Sequence, residues 1–223
     1  MFLALHDLFL YRKYRKYDKI SHHIKIKNMN EIKFFTDKIQ IICPEITRDE
    51  LAEFENGLFV KRIARKALVF DKAEPHAYIA YITSGIVRSF YINANDSEIS
   101  AYFIKEFDFV SDYPAFLKGI KSNYLFEAIE DTTVVCIPRD LILKAYAHSP
   151  KFQKFGRLIA EEAVQFLQSR IESFLFKTAT ERYLEFMENE TELFNRLSVE
   201  HIATFLGVER QSLTRIRKKL SSK

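Results

Sequence analysis

Between Ser149 and Phe176 the chain has one proline, Pro150, and one glycine, Gly156. Ala160, Val164, Leu167, Ile171 and Phe174 recur at i, i+4, i+7, i+11 and i+14, and Ile159, Ala163 and Phe166 widen the stripe. This spacing predicts a single helix of about 27 residues with an apolar seam at coiled-coil period. Ser149 stands at its N-cap and Pro150 at its first position, where a missing N–H costs nothing. The helix divides the chain into residues 29–148, 149–176 and 177–223. Its seam, Ala160, Val164, Leu167, Ile171 and Phe174, is read as the face by which two subunits pair.

The segment before the helix changes character within itself. Thr47-Arg48-Asp49-Glu50 is a capping box that opens a short helix, and Gly57 suits a left-handed position just past its end. A shorter helix is expected from Ile32 to Lys38. From Leu58 to Pro138 the period becomes that of strands. Runs such as AYIAYITSGIVRSFYIN and YLFEAIEDTTVVCIPRD are rich in Ile, Val, Phe, Tyr and Thr and are broken by DKAEPH, SG, NANDS and PAFLKGIKSN. Short β-rich runs at this spacing predict an antiparallel barrel or sandwich, not alternating βαβ units. Residues 1–28 are basic, tyrosine-rich and uncapped; they read as a disordered extension, or as a start placed upstream of a natural initiator at Met29.

After the long helix, Thr178-Ala179-Thr180-Glu181 is a second capping box. The stretch SVEHIATFLGVERQSLTRIRKKL then has the layout of a helix-turn-helix. Ser198 can cap the first helix, Ala203 is small where a second helix must cross closely, and Gly207 sits where the turn needs positive φ. Ile202, Leu206, Val208, Leu213 and Ile216 supply the contacts that hold the two helices. On a wheel starting at Arg210, Leu213, Ile216 and Leu220 fall at roughly 300°, 240° and 280°. Gln211, Arg215 and Lys218 fall opposite, with Arg210 alongside. Arginine and glutamine are the side chains that read guanine and adenine edges bidentately, so Arg210, Gln211 and Arg215 are assigned to bases. Ser198, Thr214, Arg217, Lys218 and Lys219 are assigned to DNA phosphate.

Charge supports this placement more than its total does. The net charge is +4, and the segment from Leu197 to Lys223 has six Arg and Lys against two Glu, so it alone carries that excess. With 48% apolar and 29% charged residues, the composition is that of a globular chain, and no apolar run reaches the roughly 18 residues of a membrane span. The reading is of a cytoplasmic protein. Cys43 and Cys136 lie far apart with no metal-ligand spacing, which implies two reduced thiols and no cofactor or metal. Residues 58–138 hold a single histidine, His76, too few for a cupin-type metal triad. With no G-x-S-x-G, P-loop or GxGxxG, an enzyme is not expected.

The order of parts resembles the Crp/Fnr family of bacterial transcription regulators. The resemblance covers residues 30–220 and is most specific in YIAYITSGIVRSFYI, FEAIEDTTVVCIPRD and HIATFLGVERQSLTRIRKKL. It implies an α+β fold: an N-terminal antiparallel, jelly-roll-like β-roll sensor, a long dimerisation helix and a C-terminal winged helix-turn-helix. It further implies double-stranded DNA and a second copy of the chain as partners, with RNA polymerase as a third if the protein activates. The family's base-reading positions fall on Arg210, Gln211 and Arg215; Gln211 stands where many members have glutamate, and the resemblance assigns Ser212, at a hydroxyl position, to DNA phosphate. The cyclic-AMP binders of the family carry Gly-Glu and then Arg-Ser or Arg-Thr in a phosphate cassette. Here Ser111-Asp112 and Ser122-Asn123 fall at those positions, leaving a degenerate effector pocket without the arginine fork that a buried phosphate needs. His76, isolated before a strand, is read as a surface residue in preference to a haem ligand. A cyclic-nucleotide-responsive regulator, and an adaptor whose terminal helices bind protein, remain the alternatives.

Overall fold

The computed structural model describes residues 31–221. The expected extension over residues 1–28, with His22 and His23, lies outside them. Among the described residues seven strands form two antiparallel sheets. The first runs in the order β1 (Phe59–Ile63), β7 (Thr132–Pro138), β2 (Tyr78–Ser84) and β5 (Phe109–Val110). The second runs β4 (Glu98–Ile104), β3 (Val87–Ile92) and β6 (Leu125–Ala128). The antiparallel β-structure expected from the strand-period segment is therefore present, in the form of the β-roll that the resemblance implies.

Strands β2 and β7 read as unbroken apolar runs because the first sheet is covered on both faces. They pair in the register Ala80↔Cys136, Tyr81↔Val135 and Ile82↔Val134. Successive side chains of a strand point to opposite faces. Ala80, Ile82, Val134 and Cys136 therefore pack between the sheets with Val87, Val110, Phe126 and Ala128. Ile79, Tyr81, Val135 and Ile137 pack the other way, against a helical layer. That layer consists of α1 (Glu31–Ile42), α2 (Arg48–Glu55), α4 (Arg139–His148) and the first turns of α5 (Pro150–Phe176). Phe35 and Ile39 of α1, Leu51 and Phe54 of α2, Ile142 of α4 and Phe152 of α5 fill it. Both cysteines are buried and free.

The long helix spans the residues its apolar stripe predicts, and both capping boxes are formed, Thr47 with Glu50 and Thr178 with Glu181. Several local details differ. Helix α1 extends beyond the expected Ile32–Lys38. Gly57 is not left-handed, and Asn56 ends α2 in right-handed backbone. Gly57 is small for a different reason, since a Cβ there would meet Leu141 at 2.8 Å. Ser149 occupies the N-cap of α5, but its hydroxyl makes no capping bond. It also terminates α4, and its amide donates to the Ala145 carbonyl at 2.9 Å. Within PAFLKGIKSN, expected as a break, the chain forms α3 (Tyr113–Lys118), capped by Asp112.

Beyond α5 the described chain is helical: α6 (Ala179–Asn189), α7 (Thr191–Arg196), α8 (Val199–Leu206) and α9 (Arg210–Ser221). Helices α8 and α9 realise the helix-turn-helix; strands that could form a wing are not among the described residues. These helices share a third core of Tyr183, Phe186, Leu193, Ile202, Ala203, Phe205, Leu206 and Leu213, into which Ile86 of the β-roll also inserts. None of the described helices is long and apolar enough to cross a membrane.

Phe35 joins α1 to the first sheet through Tyr81 and Phe109, at ring separations of 4.7 and 6.1 Å, and is 1% exposed. Phe35→Ala is expected to destabilise the fold by about 3–5 kcal/mol, measured as a lowered urea midpoint at unchanged slope.

Candidate nucleic-acid interface

The turn between α8 and α9 is built as the sequence requires. The hydroxyl of Ser198 accepts from the His201 amide at 3.1 Å and caps α8. Gly207 ends it at φ 67°, a left-handed position that side-chain residues occupy at a cost. The Val208 amide closes the turn by donating to the Ala203 carbonyl at 3.0 Å. Ile202, Ala203, Leu206 and Leu213 are buried, and Val208 and Ile216 are half-buried. Gly207 forms the turn, and the other six pack in or against one core.

The opposite face of α9 is open. Arg210, Gln211, Thr214, Arg215, Arg217, Lys218 and Lys219 are exposed, and Ser212 is half-buried. Arg215 donates to the Ser212 hydroxyl at 3.0 Å, which orients one arm of its guanidinium and leaves the other donors outward. Thr214 donates to the Arg210 carbonyl at 3.0 Å, so its hydroxyl is partly engaged within the helix. Arg210 lies 3.6 Å from Glu200 of α8, a solvent-exposed pair of little energetic weight.

Helix α8 is gripped at its C-terminal end by two arginines. Arg182 of α6 donates twice to the Leu206 carbonyl, at 3.2 and 2.8 Å, and once to Lys177 at 2.7 Å. Arg170 of α5 donates to the Phe205 carbonyl and lies 3.6 Å over the Phe205 ring. Two cations at the negative end of a helix suit its dipole. Burial pushes Arg170 down to about 10, still charged at neutral pH. The ring of Phe174 sits between them, 4.5 Å from Arg170 and 4.8 Å from Arg182, and a Cβ at Gly207 would meet it at 2.8 Å. Glycine at 207 is thus needed for both its backbone and its size.

On its other side α8 is joined to the second sheet. Arg88, buried on β3, donates to the Ser100 hydroxyl at 2.8 Å and to Glu98 at 2.6 Å. The hydroxyls of Ser100 and Thr204 are 2.7 Å apart, and Thr204 donates to the His201 carbonyl at 3.2 Å. Donation therefore runs in one direction, from Arg88 through Ser100 and Thr204 into α8. Arg196 of α7 adds a bidentate bond to Glu106, at 3.0 and 2.7 Å, and a bond to Glu130. Sequence reasoning missed all of these links. An arginine within the apolar run of β3 was the one signal available for Arg88.

The seam of α5 is bare along its second half. Val164 is 62% exposed, Ile171 59%, Leu175 69% and Phe176 80%; Leu167 and Phe174 are exposed as well, while Ala160 is half-buried.

Of the four residues expected at an effector site, Asp112 and Ser122 are bonded to each other and Ser111 to His76. Asp112 caps α3 by accepting from the Ala115 amide at 3.2 Å and accepts from Ser122 at 2.8 Å. Ser111 lies 3.2 Å from His76 Nε2. Asn123 is exposed. His76 corrects an expectation: it is 3% exposed, not a surface residue, with Phe70 at 4.1 Å and Phe116 and Phe126 at 6.3 and 6.0 Å. Burial pushes it down to about 4 against the opposing pull of Asp112, so the imidazole is neutral at physiological pH. Among the described residues no group of three or more His, Cys, Asp or Glu is placed to hold a metal ion.

No family model and no curated protein matches this sequence. Solved structures do match. A transcriptional regulator assigned to the Crp/Fnr family from Eubacterium rectale superposes with a TM-score of 0.66 at 17% identity, over 80% of this chain and 85% of that one. The c-di-GMP-responsive regulator CLP of Xanthomonas campestris gives 0.64 at 16% identity, over 77% and 90%. FixK2 of Bradyrhizobium japonicum gives 0.62 at 19% identity, over 74% and 85%. The fold is that of the Crp/Fnr regulators.

The bridge from Arg196 to Glu106 carries a pH signature. Burial alone would raise Glu106, but the bonds from Arg196 and from the Gly85 amide outweigh it and hold the carboxyl below its ordinary value. A depressed folded value means that the stabilisation is present above the unfolded value, about 4.3, and is lost as pH falls through the lower folded value. Glu106→Gln is expected to lower stability at pH 7 and to flatten this acid-side dependence. Denaturant melts across pH 3–7 measure both.

Proposed function

We propose that the chain is a sequence-specific DNA-binding transcription regulator, cytoplasmic and not enzymatic, acting as a homodimer on a near-palindromic operator. The observation that carries the reading is the division of α9 into a buried face at Leu213 and an open face bearing Arg210, Gln211 and Arg215. Those three side chains are assigned to base edges in the major groove. Ser198, Ser212, Thr214, Arg217, Lys218 and Lys219 are assigned to phosphates. The chain divides functionally into a sensor over 29–148, a pairing helix over 149–176 and a DNA-binding unit over 177–223.

Pairing through Val164, Leu167, Ile171 and Phe174 would remove the exposed apolar stripe from water and present two copies of α9 to successive major grooves. A regulator of this form that activates would also meet RNA polymerase. For the effector, the self-bonded Asp112 and Ser122 and the absence of an arginine at that point support a regulator that does not take cyclic AMP.

Arg215→Ala is expected to weaken cognate DNA by about 1–3 kcal/mol and to relax sequence preference at one base pair. Lys219→Ala is expected to weaken all sequences alike and to flatten the salt dependence. Competition binding against scrambled duplexes separates the two; equal losses of specific and non-specific binding in both variants contradict the assignment. Ile171→Asp is expected to shift the chain from dimer to monomer in sedimentation velocity. Isothermal calorimetry with cyclic AMP is expected to give no binding heat, and micromolar affinity contradicts the effector reading.

A further inference from the structure

Among the described residues, one buried side-chain nitrogen or oxygen has no hydrogen-bond partner in the protein: Nδ1 of His201. Buried polar atoms are paired as a rule, so an exception calls for a physical reason. His201 stands in the first turn of α8, half-buried, with the ring of Phe103 of β4 at 6.1 Å. It also lines a groove of about 330 Å³ between the β-roll and the start of α8, which gives its ring a path for proton exchange with water. A neutral imidazole has one donor and one acceptor nitrogen, whereas a charged imidazole donates from both. The neutral ring can keep its proton on Nε2 and leave only a lone pair at Nδ1. The charged ring would bury an N–H there with no acceptor to meet it, a more costly state.

The surrounding charges weigh the same way. Burial lowers His201 below its ordinary value, and Arg88 of β3 adds to this, against Glu98 of β4 and Glu200 of its own helix. Both of those carboxylates are already engaged. Glu98 accepts from Arg88 at 2.6 Å, and Glu200 lies 3.6 Å from Arg210 of α9. Around the groove, Glu130 is bonded by Arg196 of α7, and Glu127 of β6 stands opposite Arg88 in the strand register with its carboxyl raised by burial. Arg65 and Lys66 of the turn after β1 add positive charge to the same groove. The first turn of a helix is also the positive end of its dipole, where a cation is disfavoured.

This residue sits at the joint between the β-roll and the helix-turn-helix. One turn along, Thr204 donates to the His201 carbonyl at 3.2 Å, and its hydroxyl is 2.7 Å from that of Ser100, which accepts from Arg88 at 2.8 Å. We propose that His201 is an acid-sensitive latch: neutral, it lets α8 lie on the second sheet, and protonated, it drives α8 off that sheet and frees α8 and α9 from the β-roll. The latch goes beyond the DNA-reading proposal and does not depend on it, because the joint belongs to the fold. Its pH window follows from the direction of the shift. The docked value lies below the ordinary one of about 6.5, so the latch is closed above that pH and loosens as pH falls beneath it toward the docked value. The Glu106 bridge is lost only below about 4.3, so the two windows are separate.

Hydrogen exchange of the full chain at pH 7.5, 6.5 and 5.5, corrected for the intrinsic pH dependence of exchange, tests the latch. Protection of wild-type α8 is expected to hold between pH 7.5 and 6.5 and to fall by up to about tenfold between 6.5 and 5.5, the limit for one proton. His201→Gln, uncharged throughout, is expected to show none of that fall. His76 is buried inside the β-roll, so its protonation would show in β6, and in both proteins alike. A histidine NMR titration of the wild-type chain, with the ring that contacts Phe103 assigned to His201, gives a second reading that does not need the variant to fold. Its midpoint is expected below 6.5. Wild-type α8 protection that does not change with pH, an equal fall in His201→Gln, or a His201 midpoint at or above 6.5 overturns the latch.

Discussion

Helix α8 is short, and the placement of every other C-terminal feature depends on how it is held. Its N-terminus is closed by Ser198, its C-terminal carbonyls accept from Arg170 and Arg182, and its exposed flank is tied to β4 through Ser100 and Thr204. Each tie comes from a different element: α5, α6 and the second sheet. A helix of eight residues cannot hold its own conformation in water. Packing and these bonds supply what propensity does not. Helix α9 then packs across Ala203 and Leu206 in the one orientation that leaves its basic face to solvent.

In the proposed dimer the same arrangement would make α5 a mechanical link between pairing and reading. Its first turns belong to the core of the β-roll through Phe152, and its middle carries an exposed apolar stripe. Near its end Arg170 and Phe174 bear directly on α8 and on Gly207. In that dimer, a change in how two copies of α5 lie against each other would move α8 without altering any residue assigned to bases. The β-roll can act on α8 independently through Arg88. Such a two-sided hold is the kind of element whose equilibrium an effector or a partner can bias.

Much of this was legible in the sequence where local rules act. The stripe from Ala160 to Phe174, the two capping boxes, and Gly207 with Ala203 each report a constraint set within a few residues, and the structure has those elements. The two faces of α9 followed from helical spacing alone. Contacts between distant segments were not legible. Nothing near Ser100 in the sequence announces Thr204, and Arg170 looks like any polar residue on a long helix. His76 misled because an isolated histidine ahead of a strand carries no signal of Phe70, Phe116 and Phe126 closing over it. Gly57 misled because its smallness answers Leu141, a residue far along the chain, and not the end of its own helix. The short helices α3 and α7 were missed because six residues are too few to show a periodicity; α3 is set by its Asp112 cap and α7 by the burial of Leu193.

The central claim is that two copies of this chain read one duplex with paired α9 helices. Hydroxyl-radical footprinting of the purified protein on a duplex selected from random sequence tests it most directly. The account predicts two protected patches related by dyad symmetry, their centres about one helical turn apart on the same face of the DNA. A single asymmetric patch, or protection that does not depend on sequence, contradicts it.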